Sequence, residues 1–336
     1  MGKNFQYSVI IRTLGAGGEK YKRLIESIRS QSLKPNNIYV FIADGYPYPK
    51  ERLGYEKFIF CKKGMWHQRI FGLEYVANND SADFILASDD DMELEKDFSL
   101  KSMEILEETH ADILAPSILC PKQEKLEVIQ PWSKKDFLNH ILGTRVERRD
   151  IKYRIAINST GGYDANTNLA TPTYPTQSVA GGAIWIRNSR TKKLRLRDEL
   201  WLDATRYPLP EDQVFGYKAF INGLAVMGSR NLLVRHLDSG GINPTRGYDI
   251  AFSSGRNFLI FWHRFLWTQA SKKFRKVRLL CGIFHHLIGH AILYFLISCS
   301  KMRFSLIYGF LRGVASGVSF IKSKEYKILP SPIENN

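Results

Sequence analysis

The sequence predicts an α/β fold with a largely parallel sheet, and three observations carry that expectation. Short continuous apolar runs alternate with helical patterns: YSVIIRTL at 7–14, IYVFIA at 38–43 and FILAS at 84–88 have helix-period segments between them. The later runs discharge into polar or acidic residues, Asp44-Gly45 after the second and Asp89-Asp90-Asp91 after the third, and ligands sit at such strand ends in open sheets. At 336 residues with 44% hydrophobic content, the chain can bury a substantial core, which excludes global disorder.

In chain order, the first run is broken by the Gly-rich stretch 15–18, before a helix whose apolar face is Tyr21, Leu24, Ile25 and Ile28. After Lys34-Pro35-Asn36-Asn37 the second run completes a βαβ unit. A helical pattern from Gly64 sets Ile70, Leu73 and Val76 or Ala77 on one face and leads to the third run, so three parallel strands end on one edge. Residues 98–108 read as helix, and Ile113-Leu114-Ala115 as a short strand closed by Pro116. A helix around 134–142 precedes a polar stretch rich in Gly, Asn and Thr at 158–177, expected to be an ordered loop lining a site. Gly181-Gly182 open a strand running to Arg187, Glu211-Asp212 head a helix through Phe220, and 225–227 and 232–234 are two more short strands. His236 lies just past the last of these, and there are no internal repeats or low-complexity segments.

The triple carboxylate is the feature around which the rest is organised. Adjacent carboxylates repel, and burying them unpaired costs several kcal/mol, so they call for full solvation or a divalent cation. An acidic turn capping a helix that starts near Glu93 would also account for them.

The formal charge of +15 is uneven: residues 251–336 carry 13 Lys+Arg against 2 Asp+Glu, hence +11 of the total. Such a segment suits anionic lipid headgroups or nucleic acid. Cys61, Cys120, Cys281 and Cys299 show neither metal-type spacing nor a disulfide framework, which fits a reducing compartment. The N-terminus has no basic-then-apolar signal pattern, so export by a signal peptide is not expected.

With these positions in place, the chain resembles family 2 inverting glycosyltransferases of GT-A fold, of the kind that build bacterial surface polysaccharide. The resemblance spans roughly residues 7–236. It rests on the order of SVIIRTL, Gln31-Ser32-Leu33-Lys34-Pro35, Asp44-Gly45, Lys63-Gly64 with Arg69, Asp89-Asp90-Asp91, Gly181-Gly182 and Glu211-Asp212. It implies a Rossmann-like mixed sheet flanked by helices, a nucleotide-sugar donor, and Mn²⁺ or Mg²⁺ held by Asp91 with Asp89, the latter near the ribose. In such a family Asp44 sits beside the nucleotide base and Arg69 approaches base or phosphates. Asp90 completes the acidic donor-side turn. Inversion is a single displacement and needs one carboxylate to take the acceptor's proton, a role that falls to Asp212, with Glu211 as alternative. His236 would be a further metal ligand, and Gly181-Gly182 would let backbone approach the sugar or acceptor. Each has a plainer reading as well: an Asp-Gly turn, a solvated arginine, acidic residues complementing a helix dipole, a hydrogen-bonded surface histidine and a tight turn.

The C-terminal region departs from a simple soluble domain. From Arg256 a helical pattern carries Phe258, Phe261, Trp262, Phe265, Leu266 and Trp267, followed by the basic cluster at 272–278 and by 22 residues, 279–300, without Asp, Glu, Lys or Arg. That length suffices to span a bilayer, but His285, His286, His290 and the glycines dilute it, so an interfacial or partly buried hairpin fits as well. The expected organisation is a GT-A domain at 1–250, a basic and apolar membrane-associating region at 251–325 and a tail at 326–336. The expected setting is the cytoplasmic face of the inner membrane, where the acceptor is a lipid-linked or other glycan and an anionic membrane surface is a partner. A non-catalytic membrane-surface binder on the same scaffold is the competing class. Nucleic acid is not expected, because the charge adjoins an apolar segment and no recognition motif is evident.

Overall fold

A computed structural model describes residues 5–15, 17–119, 121, 133–144, 155–165, 171–238 and 244–333. Strand β1 (Tyr7–Thr13) is followed by α1 (Gly18–Arg29), β2 (Ile38–Ala43), β3 (Glu56–Cys61), α2 (Met65–Asn79), β4 (Phe84–Asp89), β5 (Met92–Leu94), α3 (Phe98–Thr109) and β6 (Ile113–Leu119). Helix α4 (Lys134–Ile141) precedes the small hairpin β7 (Ile155–Ile157) and β8 (Tyr163–Ala165), then β9 (Thr173–Pro175) and β10 (Ala183–Arg187). Three 3₁₀ segments between 188 and 204 lead to α5 (Glu211–Ile221) and β11 (Val226–His236). The C-terminal region is helical: α6 (Pro244–Phe261), a π-helical stretch at Trp262–Trp267, α7 (Lys273–Lys301), α8 (Ser305–Lys322) and α9 (Lys324–Lys327).

The main sheet runs β3-β2-β1-β4-β10-β6-β11-β5, with β9 also on β11. The first four strands are parallel, and β10 enters antiparallel between β4 and β6. The sheet is therefore mixed, and helices flank it. The antiparallel entry is what builds the site: it brings the N-terminal end of β10 beside the C-terminal end of β4, where the Asp89 N–H donates to Gly182 O at 2.9 Å. The strands β1, β2 and β4 are buried nearly throughout, which is why they read as unbroken apolar runs. On α1, Tyr21, Leu24, Ile25 and Ile28 are buried as their spacing predicts.

Several expectations need correction. The edge strand β3 (EKFIFC) was not expected, because it is half exposed and begins with a charged pair. The strand at 113 does not stop at Pro116 but continues to Leu119. Pro116 pairs with Ser229 where the register slips to Ser117 with Leu233, and an irregularity is where a proline, lacking an N–H, is tolerated in a sheet. The same irregularity interrupts one long strand, β11, which the sequence presents as two. No helix begins near Glu93: the acidic triple forms a tight turn into β5, and helix resumes only at Phe98.

Within the stretch 158–177, residues 166–170 lie outside the described residues. Its described part packs on the C-terminal helices, and Gly282 faces Thr160 at 3.1 Å measured from an ideal Cβ. The boundary expected at residue 250 falls inside α6, and the C-terminal helices share one core cluster with the sheet's own helices, joining Phe215 and Trp201 to Phe261, Leu279 and Tyr326. A fully buried ion network reinforces this union, since Glu199 pairs with Lys218 at 2.8 Å and with Arg264, from the π-helical stretch, at 2.7 Å.

Candidate active site

A cleft of about 810 Å³ opens at the C-terminal edge of the sheet. Its floor is the ends of β1 and β4, with Arg12, Thr13, Asp89, Asp90 and Asp91, and its walls include Tyr46, Lys63, Arg206, Tyr207 and Asp238. The acidic triple is resolved one carboxylate at a time. Arg12 holds both oxygens of Asp89, Nε to Oδ1 at 2.5 Å and Nη2 to Oδ2 at 3.1 Å. Burial raises the Asp89 carboxyl, but Arg12 and then Arg69 outweigh it and hold it below the usual carboxylate range. Asp90 accepts from the Thr13 hydroxyl at 2.5 Å, and burial, aided by its two acidic neighbours, pushes it up to about 6. Asp91 turns the other way and faces His236, with Oδ2 3.1 Å from Nε2, and that hydrogen bond raises the imidazole.

A second layer lies behind the first. Arg12 also grips Glu211, at the head of α5, with Nη1 to Oε2 at 2.9 Å and Nη2 to Oε1 at 2.8 Å, and it donates to Met65 O. Arg69, only 3% exposed, donates to Gly181 O at 2.7 Å and reaches Asp89 at 3.3 Å and Asp212 at 3.5 Å. Glu211 and Asp212 do not line the cleft; the two arginines tie them to Asp89, which does. Asp212 remains 34% exposed, and its carboxyl is pushed up to about 6 by burial and by Glu211, against the arginines. Gly181 has to be glycine for this packing: a Cβ there would sit 1.7 Å from Asp212 Oδ1. Across the cleft, Asp203 accepts from the Trp66 and His67 N–H groups at 3.0 and 2.7 Å, fixing the N-terminus of α2.

The structure thus gathers Arg69, Asp89, Gly181, Glu211 and Asp212 into one network and Asp91 and His236 into a pair. Gly182 joins through its backbone oxygen. Two residues stand apart from the expectation. Asp44 sits exposed in the turn after β2 and does not line the cleft, whereas Tyr46 does, its hydroxyl 2.5 Å from Lys63 Nζ. Arg69 is under the carboxylates, not facing the space a donor would fill. Arg12 was missed as a site residue, although an arginine in the buried run YSVIIRTL was a signal, since a charge there needs a partner. Ser239, Gly240 and Gly241, just past His236, lie outside the described residues.

The resemblance also implies a cation, which needs a set of donor side chains. Among the described residues, no group of three His, Cys, Asp or Glu is disposed to hold an ion. Asp89 is fully engaged by Arg12, which leaves Asp91 and His236. Two protein ligands fit an ion that completes its shell with diphosphate oxygens and water, and do not fit an all-protein cage.

The sequence matches no family model and no curated protein. It is similar to solved structures. GalNAc-T7, crystallised with UDP, GalNAc and Mn²⁺, aligns with a TM-score of 0.52 at 13% identity, covering 78% of this chain and 51% of that one. This chain therefore spans about half the length of that protein. S. aureus TarS 1–349 aligns with a TM-score of 0.44 at 12% identity, covering 94% and 92%, and in complex with UDP with 0.43 at 13% identity, covering the same shares. The fold is the mixed α/β GT-A architecture, as the sequence predicts.

Proposed function

We propose that this chain is a metal-dependent inverting glycosyltransferase of family 2 type. It moves a sugar from a nucleotide-diphosphate donor to a lipid-linked glycan acceptor in cell-surface polysaccharide synthesis, at the cytoplasmic face of the inner membrane. The observation that carries this reading is the coupling of two chemically distinct carboxylate sets across one cleft edge. Asp91, the second acid of an Asp-x-Asp sequence, lines the cleft and pairs with His236, while Asp212, with a carboxyl raised to about 6, is tied through Arg69 to Asp89 beside it.

Asp212 suits a general base. Deprotonated at neutral pH yet more basic than an ordinary carboxylate, it takes the proton of the acceptor hydroxyl as that oxygen bonds to the anomeric carbon. The bond from that carbon to the donor's phosphate oxygen breaks as the new bond forms, its electron pair leaves with the nucleoside diphosphate, and the configuration inverts. Arg12 and Arg69 act as positioning residues, fixing Asp89, Glu211 and Asp212 relative to one another. Lys20, Lys63 and Arg206 line the cleft as cations for the phosphates. Asp91 and His236 would hold Mn²⁺ or Mg²⁺, which when bound offsets the charge developing on the diphosphate. The test is a screen of purified protein against nucleotide-sugars with either ion, reading nucleoside diphosphate release and product anomeric configuration. Retention of configuration would refute the single displacement.

A further inference from the structure

Helix α7 is apolar on both of its sides. Its buried side presents Leu279, Ile283, His286 and Gly289, and its opposite side presents Leu280, Phe284, Ile288 and Phe295 to the outside. His286 is 2% exposed while Phe284 and Ile288 are 56% and 57% exposed. The helix is pinned along the body of the protein by its inward side and by His285 beside it. His285 Nε2 donates to Ile141 O at 2.7 Å, His286 Nδ1 lies 3.2 Å from Gly143 O, Gly289 abuts Leu142 O, and Trp262 Nε1 donates to Leu279 O at 3.1 Å. The same exterior continues onto two neighbours, with Phe137 and Ile141 exposed on α4 and Tyr308 and Leu311 on α8.

We infer that α4, α7 and α8 form one docking face for an anionic bilayer surface, on which α7 lies in the plane of the membrane and does not cross it. The length of α7, about 43 Å for 29 residues, and its composition would permit a crossing, and it is the one described helix for which that holds. A crossing would however carry into hydrocarbon the domain to which its inner side is bonded. Charge selects lipid over a protein partner. From 272 to 324 there are ten Lys and Arg and no Asp or Glu, placed mainly at the two ends of α7 and along α8, where an interfacial helix meets headgroups. The inference rests on the membrane-associated setting proposed above and not on the transfer chemistry.

The protein supplies its own reporters, since Cys281 and Cys299 are exposed on α7, about five turns apart and hence on one side of it. Full-length variants keeping only one of the four cysteines, either Cys281 or Cys299, are labelled with NBD and added to sealed vesicles of phosphatidylcholine with or without phosphatidylglycerol. The protein should float with the anionic vesicles at least tenfold more than with neutral ones. External dithionite should then bleach both labels. Protection of one label would show a crossing helix and overturn the inference, as would equal flotation on neutral vesicles or none on either. Phe284→Glu with Ile288→Glu should reduce flotation at least tenfold while leaving nucleotide-sugar hydrolysis unchanged. Because flotation needs no donor, a chain that floats as described but transfers no sugar would retain this inference and lose the previous one.

Discussion

The cleft edge and helix α7 solve opposite problems with the same residue alphabet. At the edge, three adjacent carboxylates and two more at the head of α5 are held half-buried, with Arg12 and Arg69 absorbing the repulsion that burial would otherwise make costly. On α7, His286 is buried beside Leu279 and Ile283, while Phe284, Ile288 and Phe295 stand outside. Each departs from the rule that charge faces water and hydrocarbon faces the core, and the departures differ in kind. On the proposed reading, the edge concentrates charge for a charged ligand, and the outer side of α7 meets a bilayer. Substitutions at the edge should therefore act on chemistry or folding, and those on the outer side of α7 on location.

The largest effect should come from Asp212→Asn, which removes the proposed base with almost no change of size. Turnover should fall by ~10²–10⁴-fold with donor affinity retained, as read by steady-state kinetics beside equilibrium binding. Equal losses in both would reassign Asp212 to binding. Next comes Arg12→Met, which leaves Asp89 and Glu211 facing one another without their shared cation. Breaking such a pair costs about 3 kcal/mol, visible as a lower denaturation midpoint in urea, with Arg12→Lys intermediate because it keeps the charge but loses the bidentate grip.

A subtler effect is on pH. Burial and Glu211 raise the Asp212 carboxyl to about 6, and the base works deprotonated, so kcat/KM should rise about tenfold per unit on approach to pH 6 and level off above it. Asp212→Asn should flatten that limb; a limb that survives would point to Asp90, also raised to about 6. The smallest effect sharpens the comparison from the other side. Phe284→Glu places a charge on an already exposed position and should alter stability by no more than ~0.5 kcal/mol, checked by thermal unfolding without lipid.

Much of the sheet was legible because burial on both faces writes itself as unbroken apolar runs, as in β1, β2 and β4. What escaped was settled by pairing. Strand β3 is an edge that opens on the charged pair Glu56-Lys57 and leaves Phe60 exposed, and β11 is interrupted opposite Pro116, so neither has a local signature of its extent. At the site, residue types and order pointed to carboxylates at strand ends, but the partner of each was set by contacts far apart in sequence. Arg12 reaches both Asp89 and Glu211, and only the antiparallel entry of β10 brings Gly181 under Arg69. The side of α7 that faces outward was likewise hidden, because periodicity places Phe284 opposite His286 without saying which is inside.

The central claim, that Asp91 belongs to the donor side of a sugar-transfer site, is tested most directly by nucleoside diphosphate release from a nucleotide-sugar with Mn²⁺, comparing wild type with Asp91→Ala. The account predicts release by wild type that stops in excess chelator, and release by the variant reduced at least ~10²-fold, with an unchanged unfolding midpoint. Wild-type rates in the variant, or full activity without the ion, would contradict it.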